Sequence, residues 1–207
     1  KAGFSSAAWD LFAKRDGVSL AAALGGTRAT VMAGVSLGIE PSIDALLAEV
    51  DEQVAAGYPR VKLKIAPGWD VAAVRAVRAA HPDLDLHVDA NGAYLPGDDS
   101  TGIFQELDRL GLTMIEQPFG ARDFAARAEL QQRIGTPICL DESVVDVEDL
   151  ETMLRLDAGR VLNIKVSRMG GLLRAKRAHD IAQNAGIPVW CGGMHEFGVG
   201  RAANVAI

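Results

Sequence analysis

Residue types that mark several other protein classes are scarce in this chain of 207 residues. Its two cysteines, Cys139 and Cys191, both fall in predicted strands, which favours reduced core thiols over a disulfide or a metal pair. No apolar run is long enough to cross a bilayer. The net charge is −6, with Lys and Arg scattered, so no basic surface for nucleic acid is indicated. We therefore expect a soluble cytoplasmic protein without a nucleic-acid or membrane partner.

Charged residues are instead placed at a regular spacing. Five of them recur at intervals of 25, 27, 25 and 24 residues, each at the end of a short apolar run: Lys64, Asp89, Glu116, Asp141 and Lys165. A repeat of that length is one strand-plus-helix step of a parallel sheet. Because equivalent ends of successive parallel strands converge, the spacing predicts three carboxylates with a lysine on either side. Such a set suggests a metal site between two proton-transfer groups.

The pattern of strands and helices predicts an α/β fold. Seven strands are predicted, at residues 31–38, 60–64, 86–89, 114–116, 138–140, 161–165 and 188–191. They alternate with helical stretches, of which two begin at Ser42 and Asp70, and an eighth strand would complete a (β/α)8 TIM barrel. A doubly wound open sheet is the alternative, but it would concentrate polar residues at one switch point rather than on five successive strands.

Glycines indicate where the helices end. Gly57, Gly111, Gly135, Gly159 and Gly186 each follow a helical stretch and precede a strand, so we expect left-handed C-caps there. The chain also starts within a helix and stops after the seventh strand. We expect a piece of a longer protein: residues 1–27 would be the end of a capping-domain connection, and residues 28–207 a catalytic barrel with its eighth strand missing.

The residue types at the strand ends favour a particular chemistry. Asp89, Glu116 and Asp141 are hard oxygen ligands of the kind that Mg²⁺ takes, with Mn²⁺ as a substitute, and no His or Cys lies with them as zinc would require. Lys64 and Lys165 would face each other over the metal, where each could remove or return a proton next to a metal-bound carboxylate. Taken singly, each acid is better explained as a solvated residue at a strand end, but three acids in equivalent positions on consecutive strands favour the metal site.

Motifs around these residues carry a family resemblance. They are Lys-Leu-Lys at 62–64, Val-Asp-Ala-Asn at 88–91, Ile-Glu-Gln-Pro at 115–118, Leu-Asp-Glu-Ser at 140–143, Asn-Ile-Lys at 163–165 and Ser-Arg-Met-Gly-Gly at 167–171. In this order they resemble the barrel of the enolase superfamily, muconate-lactonizing subgroup. Residues 34–39, 65–70 and 190–194 are similar to its o-succinylbenzoate synthase / N-succinylamino acid racemase branch.

The resemblance implies roles for individual residues. Asp89, Glu116 and Asp141 would bind Mg²⁺, and Lys64 and Lys165 would be the acid/base pair that works through a metal-stabilised enediolate. Lys62, Asn91 and Glu142 would support them, and the substrate would be lined by Ser36, Gly192, Gly193 and Met194. The implied substrate is a small carboxylate, either dehydrated to o-succinylbenzoate in menaquinone biosynthesis or racemised as an N-acylamino acid.

Several alternatives stay open from the sequence. Synthase and racemase chemistry share their first step and are not separated by these residues. A dipeptide epimerase or a muconate-type cycloisomerase of the same superfamily is the enzyme alternative, and an inactive metal-binding barrel fragment is the alternative without catalysis. His195 stands where we expect an aliphatic residue, and a polar turn position is its favoured interpretation. We expect a homo-oligomer only because such assemblies are common among soluble proteins, and no particular residue indicates one.

Overall fold

The computed structural model describes residues 1–207, and its elements alternate along the chain. The strands are β1 Gly34–Leu37, β2 Arg60–Lys64, β3 Asp85–Asp89, β4 Ile115–Glu116, β5 Ile138–Leu140, β6 Val161–Ile164 and β7 Val189–Cys191. The helices are α1 Ala2–Arg15, α2 Leu20–Ala23, α3 Ile43–Ala55, α4 Val71–Ala80, α5 Asp98–Asp108, α6 Phe124–Gln131, α7 Val147–Leu156, α8 Leu172–Asn184 and α9 Gly198–Ala206. All seven predicted strands are confirmed, the first being shorter than predicted.

The order of the strands decides between the two predicted architectures. They follow one another from β1 to β7 in chain order, without the reversal that a doubly wound sheet requires. Each strand but the last is followed by a helix that leads into the next strand, and the paired strands are parallel. This is the (β/α)8 architecture, of which the chain carries seven strands.

Local sequence explains where the helices begin. The side chains of Ser42 and Asp70 accept hydrogen bonds from the backbone N–H groups of Ala45 and Val71, so both predicted N-caps are confirmed.

None of the nine helices has the length and apolar character that a membrane crossing requires.

The predicted glycine C-caps are confirmed in part. Gly57, Gly111 and Gly186 have the left-handed backbone that the prediction requires, with φ of 92°, 63° and 71°. Gly135 and Gly159 do not, so the prediction is wrong for these two. After α7 the left-handed residue is Asp157, with φ of 51°, and aspartate tolerates this conformation better than most residues.

Hydrogen bonds from a side chain account for the turn at Gly135. Its N–H donates to Asp108 Oδ2 at 3.1 Å, and Thr136 N donates to Asp108 Oδ1 at 2.6 Å. Because the Asp108 carboxylate at the end of α5 holds this turn, a left-handed glycine is not needed to form it.

The residues group into two compact units. One comprises residues 32–143 and 155–160 and contains β1 to β5, and the other comprises residues 1–31, 144–154 and 161–207 and contains β6 and β7. In the first unit, buried Val61 and Leu63 alternate with Lys62 and Lys64 along β2. A strand of this composition has an apolar face for the core and a charged face for a site.

The loops that follow β3 and β4 are fixed by buried side chains of the same unit. Phe104 on α5 packs edge-on against Tyr94 and Phe119, with ring centroids 4.9 and 5.7 Å apart. The buried Arg127 guanidinium donates to the carbonyl oxygens of Gly120 and Ala121 at 2.6 and 3.1 Å. Both loops are therefore well supported next to the strand ends.

Candidate active site at the strand ends

The register of β2, β3 and β4 places three of the predicted site residues in one row. Lys64 is paired with Asp89, and Asp89 with Glu116, across neighbouring parallel strands. Glu116 is paired with Cys139 on β5, so Asp141, two residues further along, has the same parity and lies one pleat beyond the row. The structure thus brings Lys64 and the three predicted carboxylates to the carboxyl ends of adjacent strands.

All three carboxylates are buried. Asp89 is 1% exposed, and Glu116 and Asp141 are 0% exposed. Buried charges are costly unless they are paired or bind a cation. This burial distinguishes them from solvated acids at strand ends, which was the alternative interpretation of each acid.

Lys62 neutralises part of this negative charge. Its Nζ lies 2.9 Å from Asp89 Oδ2 and 3.1 Å from Glu116 Oε2, and its side chain is 10% exposed. Burial of the ammonium opposes its ionisation, but attraction to Glu116 and Asp89 outweighs burial and raises the pKa of Lys62 above its ordinary value. Lys62 is therefore a permanent cation beside the two carboxylates.

Lys64 shares a partner with Lys62 but is more accessible. Its Nζ lies 2.6 Å from Asp89 Oδ2, the oxygen that Lys62 also contacts, and its side chain is 31% exposed. Burial works against ionisation of Asp89, but the two lysines outweigh it and hold the pKa of this carboxyl below its ordinary value. Lys64 thus combines a fixed position with access from outside, as a proton-transfer group needs.

Asn91 links Lys64 to Glu142 through hydrogen bonds, while the supporting roles of Asn91 and Glu142 stay predictions. The Asn91 side-chain oxygen accepts a hydrogen bond from Lys64 Nζ, and its Nδ2 donates to Glu142 Oε1 at 2.8 Å. The Asn91 N–H donates to Asp89 Oδ1 at 2.9 Å. The second oxygen of Glu142, Oε2, is buried without a hydrogen-bond partner. Asn91 is therefore in contact with Lys64 and with Asp89, and Glu142 is in contact with Asn91.

Ser36 lies beside this row on β1. It is paired with Lys62 in the sheet and is exposed, so it is available to a ligand that reaches Lys62. Its predicted role in lining the substrate stays a prediction.

The remaining predicted residues belong to the other unit. Lys165 directly follows β6, whose Ile164 is paired with Cys191 on β7. Gly192 N donates to Asn163 Oδ1 at 2.8 Å, and Gly193, Met194 and His195 are exposed. The structure thus places residues 192–194 in the segment directly after β7, while their roles and that of Lys165 stay predictions.

Two further buried residues lie in the site region, and the sequence pattern did not single out the first of them as a functional group. Gln117, directly after Glu116, is 0% exposed and hydrogen-bonds the backbone that follows β5. His87 lies two residues before Asp89 and is 2% exposed. Burial, with Lys62 and Arg60 nearby, lowers the pKa of His87 to about 3. His87 shares the parity of Asp89, which predicts a core histidine, and it is neutral at pH 7.

The donor set fits a hard divalent cation by its chemistry. Asp89, Glu116 and Asp141 are buried carboxylates at the ends of adjacent strands, and carboxylate oxygens are the ligands that Mg²⁺ prefers. The orphaned Glu142 Oε2 adds further negative character. No three His, Cys, Asp or Glu side chains are arranged as a ready-made cation site, and Asp89 and Glu116 contact the lysines.

Fold and site together define a class of protein. It is a β/α-barrel domain with lysines and buried carboxylates at the carboxyl ends of its strands, the end where barrel enzymes carry their active sites. Residues 45–207 match the family described as "Enolase C-terminal domain-like". The chain belongs to this enolase family, as the resemblance of its motifs indicated.

Individual relatives show which members of the family the chain is similar to. The chain is 52% identical over its full length to an o-succinylbenzoate synthase of Geobacillus kaustophilus, covering 55% of that protein. It is 46% identical over 99% of its length to an N-succinylamino acid racemase of Thermus thermophilus, covering 55% of it. A solved structure of an enolase-superfamily member from Enterococcus faecalis superposes with a TM-score of 0.93 at 44% identity, over 99% of this chain and 55% of that one. The chain thus spans about half the length of the relatives that it matches.

Proposed function

We propose that the full-length protein removes the α-proton of a small carboxylate substrate, as an o-succinylbenzoate synthase, an N-succinylamino acid racemase, or both. The observation that carries this proposal is the row formed by Lys64, Asp89 and Glu116 at the strand ends, with the carboxylates buried and Lys64 accessible. Relatives named as o-succinylbenzoate synthases support the first reaction, and relatives named as N-succinylamino acid racemases support the second.

Lys64 is the first proton-transfer group of the proposal. The contacts with Asp89 and Asn91 hold its Nζ in one place, so that a substrate α-carbon can be presented to it in a defined orientation. Lys62 stays charged beside it and neutralises part of the negative charge of Asp89 and Glu116.

Asp89, Glu116 and Asp141 would hold Mg²⁺, or Mn²⁺ in its place. When bound, the ion makes the C–H bond next to the substrate carboxylate more acidic, since it stabilises the negative charge that develops there. Asn91 and Glu142 would keep the surrounding side chains in position, as hydrogen-bonded neighbours of metal ligands do.

The two reactions diverge after proton removal. In the synthase reaction Lys64 takes the α-proton and returns a proton to the departing hydroxyl group, which leaves as water, while Lys165 stabilises the negative charge. In racemisation Lys64 and Lys165 act on opposite faces, one removing the α-proton and the other supplying a proton to the same carbon. We further propose that the protein works in the cytoplasm and that the synthase reaction serves menaquinone biosynthesis.

Single-lysine variants of the full-length protein test this assignment. With an N-succinylamino acid as substrate, Lys64→Ala and Lys165→Ala are each expected to abolish racemisation while circular dichroism shows a retained fold. Each variant keeps one base, so any remaining α-proton exchange in D₂O should be confined to one enantiomer, and to opposite enantiomers in the two variants.

The double variant, with Ala at both positions, is the control and is expected to exchange neither enantiomer. Racemisation at the wild-type rate by either single variant would show that its lysine is not one of the two bases. Exchange of the same enantiomer by both single variants would exclude the assignment to opposite faces.

A further inference from the structure

Gln117 joins the ends of three neighbouring strands through its backbone. Its N–H donates to the carbonyl oxygen of Cys139 on β5 at 2.9 Å, and its carbonyl oxygen accepts from Gly92, in the loop after β3, at 2.7 Å. Its φ of 42° lies in the left-handed region, which is unfavourable for a residue with a Cβ. A residue held in this conformation between Glu116 and Pro118 indicates a constraint imposed by its surroundings.

The Gln117 side chain uses its full hydrogen-bonding capacity. Its Oε1 accepts from the backbone N–H groups of Asp141 and Ser143 at 3.1 and 3.3 Å. Its Nε2 donates to the Phe119 carbonyl oxygen at 2.9 Å and to Ser143 Oγ at 2.8 Å. The amide is therefore clamped between the residues that follow β4 and those that follow β5.

We propose that Gln117 is a positioning residue for the divalent cation. By fixing the Asp141 N–H, Gln117 sets the direction in which the Asp141 carboxylate leaves the strand. Gln117 also directly follows Glu116, which lies on the neighbouring strand β4. One side chain thus couples the placement of two of the three carboxylates. This inference rests on the proposed Mg²⁺ site.

The chain contains a matched control in Gln131, a second buried glutamine that clamps the other end of β5. Gln131 is 1% exposed, its Oε1 accepts from Ile138 N at 2.7 Å, and its Nε2 donates to the Thr136 carbonyl oxygen at 3.2 Å. The chemistry is the same, but the clamp holds the amino end of the strand, away from Asp141. If Gln117 were only structural, the two glutamines would be equivalent.

The test compares Gln117→Met with Gln131→Met in the full-length protein. Methionine keeps a similar volume and removes the amide hydrogen bonds. Mg²⁺ affinity is measured by titration calorimetry, and amide hydrogen exchange is measured on the metal-free proteins. We expect Gln117→Met to weaken Mg²⁺ binding by about 10- to 100-fold, the usual effect of losing a residue that orients a ligand. We expect Gln131→Met to bind Mg²⁺ as the wild type does.

The exchange data separate this inference from the proposed function. Without metal, the amides of Asp141 and Ser143 should exchange faster in Gln117→Met, whereas the amide of Ile138 should do so in Gln131→Met. Unchanged Asp141 exchange, unchanged Mg²⁺ affinity of Gln117→Met, or equal weakening in both variants would each overturn the positioning role. A wild-type protein that binds no Mg²⁺ would overturn the metal site itself, and with it this inference, even if the exchange pattern is as expected.

Discussion

Replacing Lys62 tests the electrostatic account of the site. Its ammonium lies 2.9 Å from Asp89 and 3.1 Å from Glu116, and both of these carboxylates are at most 1% exposed. Lys62→Met would remove the ammonium that lies against both Asp89 and Glu116, and a broken buried ion pair typically costs about 3–5 kcal/mol. We expect a loss of this size in the free energy of unfolding, measured by denaturant titration of the metal-free full-length protein. Saturating Mg²⁺ should reduce the loss, since the cation would neutralise the same carboxylates.

Lys64→Met is the matched control for this variant. Lys64 is on the same strand and contacts the same Asp89 oxygen, but its side chain is 31% exposed rather than 10%. Because Lys64 is the more accessible lysine and Asp89 keeps Lys62 as a partner when Lys64 is replaced, the loss in the free energy of unfolding should be smaller, about 1 kcal/mol. Equal stability of Lys62→Met and the wild type without metal would refute the conclusion that Lys62 compensates the buried charge.

Two further predictions concern residues that hold the strand ends and turns. Gly192→Ala would place a Cβ in steric conflict with the side chain of Asn163, so we expect about 1–3 kcal/mol of destabilisation in a denaturant titration. Asp108→Asn should cost about 1–2 kcal/mol at pH 7, because it removes the charge that accepts hydrogen bonds from Thr136. Burial opposes ionisation of Asp108, but the hydrogen bonds from Thr136 and Gly135 lower its pKa. The stability that Asp108 contributes is therefore present above the unfolded pKa of about 3.9 and is lost as the pH falls through the folded pKa. The free energies of unfolding of Asp108→Asn and of the wild type should therefore converge below about pH 4.

Each of these predictions can fail clearly. Gly38→Ala is the control for the first, since a Cβ at Gly38 meets no atom within 4 Å, and a loss of stability there as large as at Gly192 would refute the steric argument. For Asp108→Asn, a stability difference that is independent of pH between 3 and 7 would show that the carboxylate charge is not what holds the turn.

The row of charged residues could be predicted from the sequence because it depends on two simple periodicities. The interval between Lys64, Asp89 and Glu116 reports the length of one strand-plus-helix step, and the alternation along β2 places Lys62 and Lys64 on one face. Both result from local geometry that does not depend on the rest of the fold. The strands were found for the same reason.

Other features depend on contacts between segments that are distant in the sequence. The clamp formed by Gln117 exists because the backbone after β5 passes within hydrogen-bonding distance of a residue at the end of β4, and no spacing rule marks it. The turn at Gly135 is held by Asp108, which is 27 residues earlier in the chain. The left-handed residue after α7 is Asp157 and not Gly159, which the glycine pattern alone did not predict. More than one residue type can take this conformation at the end of a helix, so a glycine nearby does not fix its position.

The central claim is that the protein removes the α-proton of a carboxylate substrate with the help of Mg²⁺. The most direct test is ¹H NMR of α-proton exchange in D₂O, with full-length protein, N-succinylamino acids and, in parallel, the substrate that is dehydrated to o-succinylbenzoate. The account predicts exchange or turnover that requires Mg²⁺ and disappears with a chelator, and the faster substrate would identify the main activity. Absence of both exchange and turnover from a full-length, Mg²⁺-loaded protein would contradict it.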